Sequence, residues 1–282
     1  MIGIAKVSQP TLRRFLAALT PETARAIRAA LRRGIVDREQ LSAALERLDV
    51  DAVGRLFEPI ADQPLKGALT DVTAAGAQAG AAPLSAALAL EMTSENPYVA
   101  LYAGQQAANL VRFVSDAQRL TIRAVVEQGL RSGERIFDMA TSLERTVGLL
   151  PRHAVAVERM RQRLLAEGTS VTRANQLADD YASRLLRYRV MNIARTETLT
   201  ALHQGEQLAW DTAAAEGLFD PATASRQWLI AAGACPPICL PMANQIQPLK
   251  QPFITGTGAR VFSPPTHPSC RCSVQLLLPE AP

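Results

Sequence analysis

The residues in this sequence best suited to chemistry are its cysteines, which lie in two tight pairs near the C-terminal end. Cys235 and Cys239 are four positions apart, and Cys270 and Cys272 are two apart. If the second pair lies in an extended strand, both of its side chains point to the same face. Two thiolate pairs brought together across a loop supply the four soft ligands that a tetrahedral zinc ion prefers.

His267 precedes the second pair and is a fifth candidate ligand for four places. A site closed by four protein ligands is structural, because no coordination position stays open for water or substrate. The sequence therefore predicts a metal site with zinc as the candidate cofactor. Two alternatives stay open, paired free thiols and a disulfide. For His267 a third alternative is an imidazole that only shapes the turn through a bond to a backbone carbonyl.

Catalytic motifs are missing from the sequence. It contains no Gly-x-Ser-x-Gly, no phosphate-binding loop and no His-Glu-x-x-His. His153 and His203 are isolated, and we interpret both as ordinary packed or surface histidines. We expect a protein that is not an enzyme. The alternative is a metal-dependent hydrolase or nuclease that uses the Cys/His cluster and Glu197.

Composition and charge limit the possible partners and the cellular compartment of the protein. The 282 residues are 48% hydrophobic, the net charge is +4, and the pI is about 9.1. This mild basic excess permits an acidic partner or DNA without requiring either. No apolar run approaches the ~20 residues of a membrane span, and the N-terminus lacks the apolar core of a signal peptide. We therefore expect a cytosolic site of synthesis, where cysteines more often bind metal than form disulfides.

The elements that must position the cysteines are mainly helices, since the chain is rich in Ala and poor in aromatic residues. Helical periodicity runs to Gly217, and two short strands are predicted after it, at 227–230 and 273–277. The predicted fold is mainly α (α+β), a helical body with a small C-terminal β-hairpin module clipped by the Cys/His cluster. The predicted segments are a helical region at 1–90, a helical body at 91–217 and the Cys/His-rich module at 218–282.

Two stretches of the N-terminal region have competing interpretations. An arginine cluster surrounds one side of a helix that Thr20 caps; its members are Arg25, Arg28, Arg32 and Arg33. These are candidate DNA contacts, and the simpler interpretation is a solvated helix face. The run at 68–90 is dominated by small residues, which suit close helix packing or a mobile join.

Arg195 and Glu197 lie two positions apart in a predicted helix and therefore do not share a face. Each can pair with a different neighbour. We interpret them, together with Trp228, as a structural anchor that ties this helix to the hairpin. A catalytic role for Glu197 would need a cleft and a perturbed pKa.

These motifs, in their order and spacing, resemble the phage Mu F-like family, also described as phage head morphogenesis or minor capsid proteins. The parts that carry the resemblance are Asn96-Pro97, Thr121-Ile122-Arg123, Gly129 to Gly133, Ile193 to Thr198 with Ala201 and Gly205, Trp228, Cys235, Cys239, and Pro264 to Cys272. The resemblance covers roughly residues 95–278. Family members usually carry an acidic residue between the tryptophan and the first cysteine, whereas here that stretch is Leu229 to Ala234.

The resemblance implies a structural minor head protein of a tailed bacteriophage, bound to the portal and the procapsid interior. Some family members are implicated in DNA packaging or delivery. The implied partners are the portal protein, a major capsid or scaffolding protein, and double-stranded DNA, with no membrane. The implied location is the virion interior near the portal, and the host cytoplasm during assembly. This domain type also occurs fused to toxin effector domains; since the chain ends at Pro282, we expect none here.

Overall fold

The structure is a computed structural model that describes residues 2–3, 17–18, 20–21, 23–29, 37–47, 49–57, 63–82, 84–146 and 148–279. Helices dominate, and residues 23–29 are also helical. The helices are α1 (Arg38–Glu46), α2 (Val50–Leu56), α3 (Gln63–Ala81), α4 (Ala86–Glu91), α5 (Pro97–Arg131), α6 (Ile136–Thr146), α7 (Pro151–Ala166) and α8 (Val171–Ala215). The strands are β1 (Ile2–Gly3), β2 (Ser225–Leu229), β3 (Ile246–Pro248), β4 (Phe253–Ile254), β5 (Arg260–Val261) and β6 (Ser273–Leu278). The predicted class, mainly α with a small C-terminal β region, is confirmed.

Local sequence signals set the helix ends. Asp37 caps α1 by accepting from the backbone N–H of Glu39 at 2.9 Å, and Asn96 does the same at the start of α5 for Tyr98 at 2.9 Å. Gly168 and Gly217 follow α7 and α8 with φ of +86° and +76°, the left-handed conformation that ends helices. No helix of the described ranges is both long and apolar enough to cross a bilayer.

The β region is larger than the predicted hairpin. Four strands form an antiparallel sheet in the order β1-β6-β2-β3, and β4 pairs with β5 in a separate ribbon. The predicted pair is present, with Trp228 opposite Val274. The prediction missed β1, which adds the N-terminal residues Ile2 and Gly3 to the free edge of β6. Nearly every position of β6 is buried, so this strand is covered on both of its faces.

The chain divides into two compact units. The first comprises Met1–Ala24, Gln63–Ala107 and Asn192–Pro282, and the second comprises Arg25–Asp62 and Ala108–Met191. The predicted segment 218–282 lies within the first unit. The segments 1–90 and 91–217 are each divided between the two units, because Arg25–Asp62 belongs to the second unit and α5 and α8 run through both.

The first unit has its core under the sheet. Trp228 and Phe253 are fully buried and meet edge to face, with ring centroids 5.2 Å apart. Arg226 on β2 is also buried and donates to the carbonyl oxygens of Gln251 and Phe262, at 2.8 and 2.6 Å. Burial lowers the pKa of this guanidinium to about 10. Arg226 thereby holds the β4–β5 ribbon, a role that the sequence reasoning missed.

Glycines bring α3 close to α8 in the same unit. A Cβ on Gly76 would lie 2.1 Å from the carbonyl oxygen of Leu202, and one on Gly205 would lie 2.2 Å from that of Thr73. Such distances leave no room for a side chain on either helix. The small-residue run at 68–90 therefore serves close helix packing, one of its two predicted interpretations.

We predict that Gly76→Ala destabilises the protein by about 1–3 kcal/mol, because its methyl group must push α3 away from α8. Gly67→Ala in the same helix is the matched control. A Cβ there meets nothing within 4 Å, so the higher helix propensity of alanine should leave stability unchanged or raise it by up to ~1 kcal/mol. Thermal unfolding of both variants checks this, and equal melting temperatures would contradict the close contact.

Candidate metal centre

Three chain segments position the candidate ligands. Cys235 and Cys239 lie in a tight turn after β2, where the backbone N–H of Cys239 donates to the carbonyl of Cys235 at 3.0 Å. Cys270 and Cys272 directly precede β6. His267 lies in the loop between the two cysteine pairs, three positions before Cys270. The backbone N–H of Cys270 donates to the carbonyl of His267 at 3.1 Å.

The ligand atoms form two overlapping triads that share Cys239. One triad is Cys235, Cys239 and His267, the other is Cys239, Cys270 and Cys272, and within each the ligand atoms lie within 4.8 Å of one another. The Sγ atoms of Cys239 and Cys270 are 3.9 Å apart. Tetrahedral zinc with Zn–S bonds of 2.3 Å separates its sulfurs by about 3.8 Å, whereas a disulfide requires about 2.05 Å. The cysteines are free thiols in an arrangement that can hold a metal ion.

The orientation of His267 suits a ligand. Its Nδ1 donates to the carbonyl of Pro268 at 3.0 Å, and its Nε2 faces the sulfur of Cys239 at 3.1 Å. Metal-binding histidines commonly fix their tautomer in this way, with one nitrogen on a backbone carbonyl and the other on the metal. The predicted alternative, an imidazole bonded to a backbone carbonyl, is therefore also seen, and it leaves the second nitrogen available.

Burial opposes charge on the sulfurs. Cys239, Cys270 and Cys272 are buried beside Trp228 and Met242. The thiol of Cys272 donates to Cys270 and lowers the pKa of Cys270, while burial raises the pKa of Cys239. Several thiolates in this apolar setting require a cation as counter-charge.

Helix α8 supports the cluster through one face, formed by Asn192, Thr196 and His203. The hydroxyl of Ser269 donates to Asn192 Oδ1 at 2.8 Å, and the backbone N–H of Ser269 donates to Thr196 Oγ1 at 3.1 Å. These two bonds hold Ser269 in the left-handed conformation, with φ of 62°. The loop before Cys270 is therefore fixed to the helix.

His203 is a second support that the sequence reasoning missed. It is buried, its Nε2 lies 3.3 Å from the carbonyl oxygen of Cys272, and its Nδ1 lies 2.5 Å from Glu206 Oε2. A histidine and a glutamate three positions apart on one helix were the only sequence signal. Since the carbonyl belongs to a candidate ligand, this pair lies in the layer that orients a metal site.

The predicted anchor residues need correction. The side chain of Arg195 is exposed and makes no hydrogen bond among the described residues, while Glu197 accepts from Gln106 of α5 at 2.7 Å. Burial raises the pKa of Glu197, but neither triad includes its carboxylate. Among the described residues, the bonds from α8 to the loop come from Asn192 and Thr196, and neither Arg195 nor Glu197 is bonded to it. Trp228 is fully buried in the core beside the cluster.

The predicted DNA contacts are only partly described. Arg25 is exposed and Arg28 is half-buried, whereas Arg32 and Arg33 lie outside the described residues. Their role therefore stays a prediction.

Comparisons with protein-family models, curated proteins and solved structures find no significant match to this chain.

We predict that Asn192→Ala lowers stability by about 1–2 kcal/mol, because it leaves the Ser269 hydroxyl without its acceptor. Arg195→Ala is the control on the same helix and should change stability by less than ~0.5 kcal/mol, since this side chain is exposed. Chemical denaturation compares the two. An equal loss in both variants would place the anchor elsewhere on α8.

Proposed function

We propose that the Cys/His cluster holds one structural zinc ion, with Cys239, Cys270, Cys272 and His267 as its ligands. Three sulfurs and one imidazole nitrogen form a set that zinc accepts in closed tetrahedral sites. The ion would provide the counter-charge that the buried thiolates need and would tie the turn after β2 to the segment before β6. Cys235 is more exposed than the other cysteines, and we assign it no place among the four ligands.

Metal analysis of the purified chain tests this ligand set. We expect about one zinc per chain, and loss of zinc in Cys239→Ser, because both triads contain this sulfur. Cys235→Ser is the matched control and should keep the metal. Loss of zinc in Cys235→Ser with retention in His267→Ala would instead assign a four-cysteine site.

Zinc removal should also unfold the β region. A chelator is expected to lower the melting temperature of the wild-type chain and to leave that of Cys239→Ser unchanged, because metal binding is linked to folding. X-ray absorption at the zinc edge counts the ligands. Three protein ligands with one water would contradict a structural site and favour the hydrolase or nuclease alternative.

We further propose that the chain is a structural minor head protein of a tailed bacteriophage that acts in head morphogenesis. The proposal rests on the resemblance to the phage Mu F-like family. One observation supports it: three of the parts that carry the resemblance, distant in sequence, come together at the cluster. Thr196 of the Ile193–Thr198 stretch contacts Ser269 of the His267–Cys272 stretch, and Trp228 packs in the same core as Cys239 and Cys270.

In this proposal the chain is an interaction module with no catalytic step. It binds the portal protein inside the procapsid, with a major capsid or scaffolding protein as a second partner, and contributes to DNA packaging or delivery. The closed metal site maintains the shape of the module. The protein then lies in the virion near the portal, and in the host cytoplasm during assembly.

Co-expression with the portal protein of the same virus tests this role. We expect the wild-type chain to co-purify with portal rings in a few copies per ring, and Cys239→Ser to lose this association together with its zinc. Gly67→Ala, which touches nothing, should bind as the wild type does. A folded, zinc-loaded chain that fails to bind the ring would contradict the proposed function.

A further inference from the structure

A groove of about 620 Å³ runs along α7 in the second unit, and arginines line it. Arg152, Arg159 and Arg163 lie on one face of α7, with Val155 and Met160 between them and Tyr181 of α8 on the opposite wall. At 1.5 Å per residue, this stripe is about 16 Å long.

The three guanidinium groups have no partner within the described ranges. No hydrogen bond or ion pair joins Arg152, Arg159 or Arg163 to another described side chain, and the groove lining contains no carboxylate. Glu167, four positions after Arg163, makes no ion pair with it in this part of the chain. Arg159 and Arg163 are themselves four positions apart, a spacing at which like charges on a helix repel. An anionic ligand would relieve this repulsion.

Arg161, on the other side of the same helix, shows what a structural arginine does in this unit. It is buried and donates to Glu134 Oε1 at 3.0 Å and to Asn175 Oδ1 at 2.7 Å. Arg145 is likewise buried and pairs with Glu158 at 3.2 Å. The groove arginines are exposed and have no such acceptor among the residues that the structure describes.

We propose that this groove binds the phosphate backbone of duplex DNA without reading its sequence. Guanidinium forks match phosphate oxygens in a way that an ammonium group does not, and the basic residues of the groove are all arginines. A duplex presents one negative charge per ~1.7 Å of its axis, so the stripe meets a dense row of phosphates. Backbone contacts of this kind carry no base specificity.

A single strand fits the groove less well. Proteins that bind single strands stack the bases on exposed aromatic rings. Tyr181 is the aromatic residue of the lining, and its ring is already covered by Arg184, whose guanidinium carbon lies 5.8 Å from the ring centroid. This geometry favours duplex over single-stranded nucleic acid.

Fluorescence anisotropy with a labelled duplex of arbitrary sequence, measured over a range of salt concentrations, tests the groove. The triple variant Arg152→Gln, Arg159→Gln and Arg163→Gln is expected to bind at least tenfold more weakly. Its slope of log K against log salt should be shallower by about 2.7, which corresponds to three lost phosphate contacts. The matched control changes Arg112, Arg131 and Arg173 to Gln, three exposed arginines of the same unit outside the groove, and should keep both affinity and slope.

Four outcomes overturn the proposal. They are absence of duplex binding by the wild-type chain, equal losses in the two triple variants, tighter binding of single strands, and competition by polyglutamate as effective as that by unlabelled duplex. The last would assign the groove to an acidic protein. Circular dichroism confirms that both variants are folded. DNA binding by the groove and portal binding are tested separately. The anisotropy assay contains no portal protein, and the co-purification with portal rings can be repeated with the groove variant, so either proposal can fail without the other.

Discussion

The candidate ligand sulfurs of the first unit are buried beside Trp228, and this burial is the constraint on their chemistry. Cys239 belongs to both triads, and its neighbours Cys270 and Cys272 are buried in the same core. Thiols in such a site are compatible with an apolar core, and thiolates are not unless a cation accompanies them. The same sulfurs bring the turn after β2 next to the segment before β6, which Ser269 also fixes to α8.

The short strands of the β region explain why a link between the turn after β2 and the segment before β6 would stabilise it. β3, β4 and β5 have two or three residues each, and more than forty residues separate β2 from its partner β6. Closing a connection of that length costs conformational entropy, and strands so short return few hydrogen bonds. A clip between the turn after β2 and the segment before β6 shortens the free connection. Arg226 acts in the same direction by holding the β4–β5 ribbon through two carbonyl groups.

Features that depend on contacts within a few residues can be predicted from this sequence, whereas contacts between segments far apart in the chain cannot. Asp37, Asn96 and the glycines after α7 and α8 mark helix ends through contacts within a few residues, so helix ends of this kind are visible in the sequence, as at Gly217. The pairing of β1 with β6 could not, because two residues carry no periodicity. For the anchor on α8, the sequence predicts the helix correctly but points to Arg195 and Glu197 in place of Asn192 and Thr196. Only the position of the loop reveals that Ser269 faces Asn192 and Thr196.

The net charge of the chain, like the local sequence signals, does not reveal which residues meet in the fold. A net charge of +4 describes a mildly basic protein and does not separate the arginines by environment. On α7, Arg161 is neutralised within a buried network, whereas Arg152, Arg159 and Arg163 remain exposed on one face. The buried pairs cancel in the net charge and also have little field outside the protein, since opposite charges lie side by side. The field that a polyanion meets at this face therefore comes from the unpaired arginines, and it is stronger than the overall charge indicates.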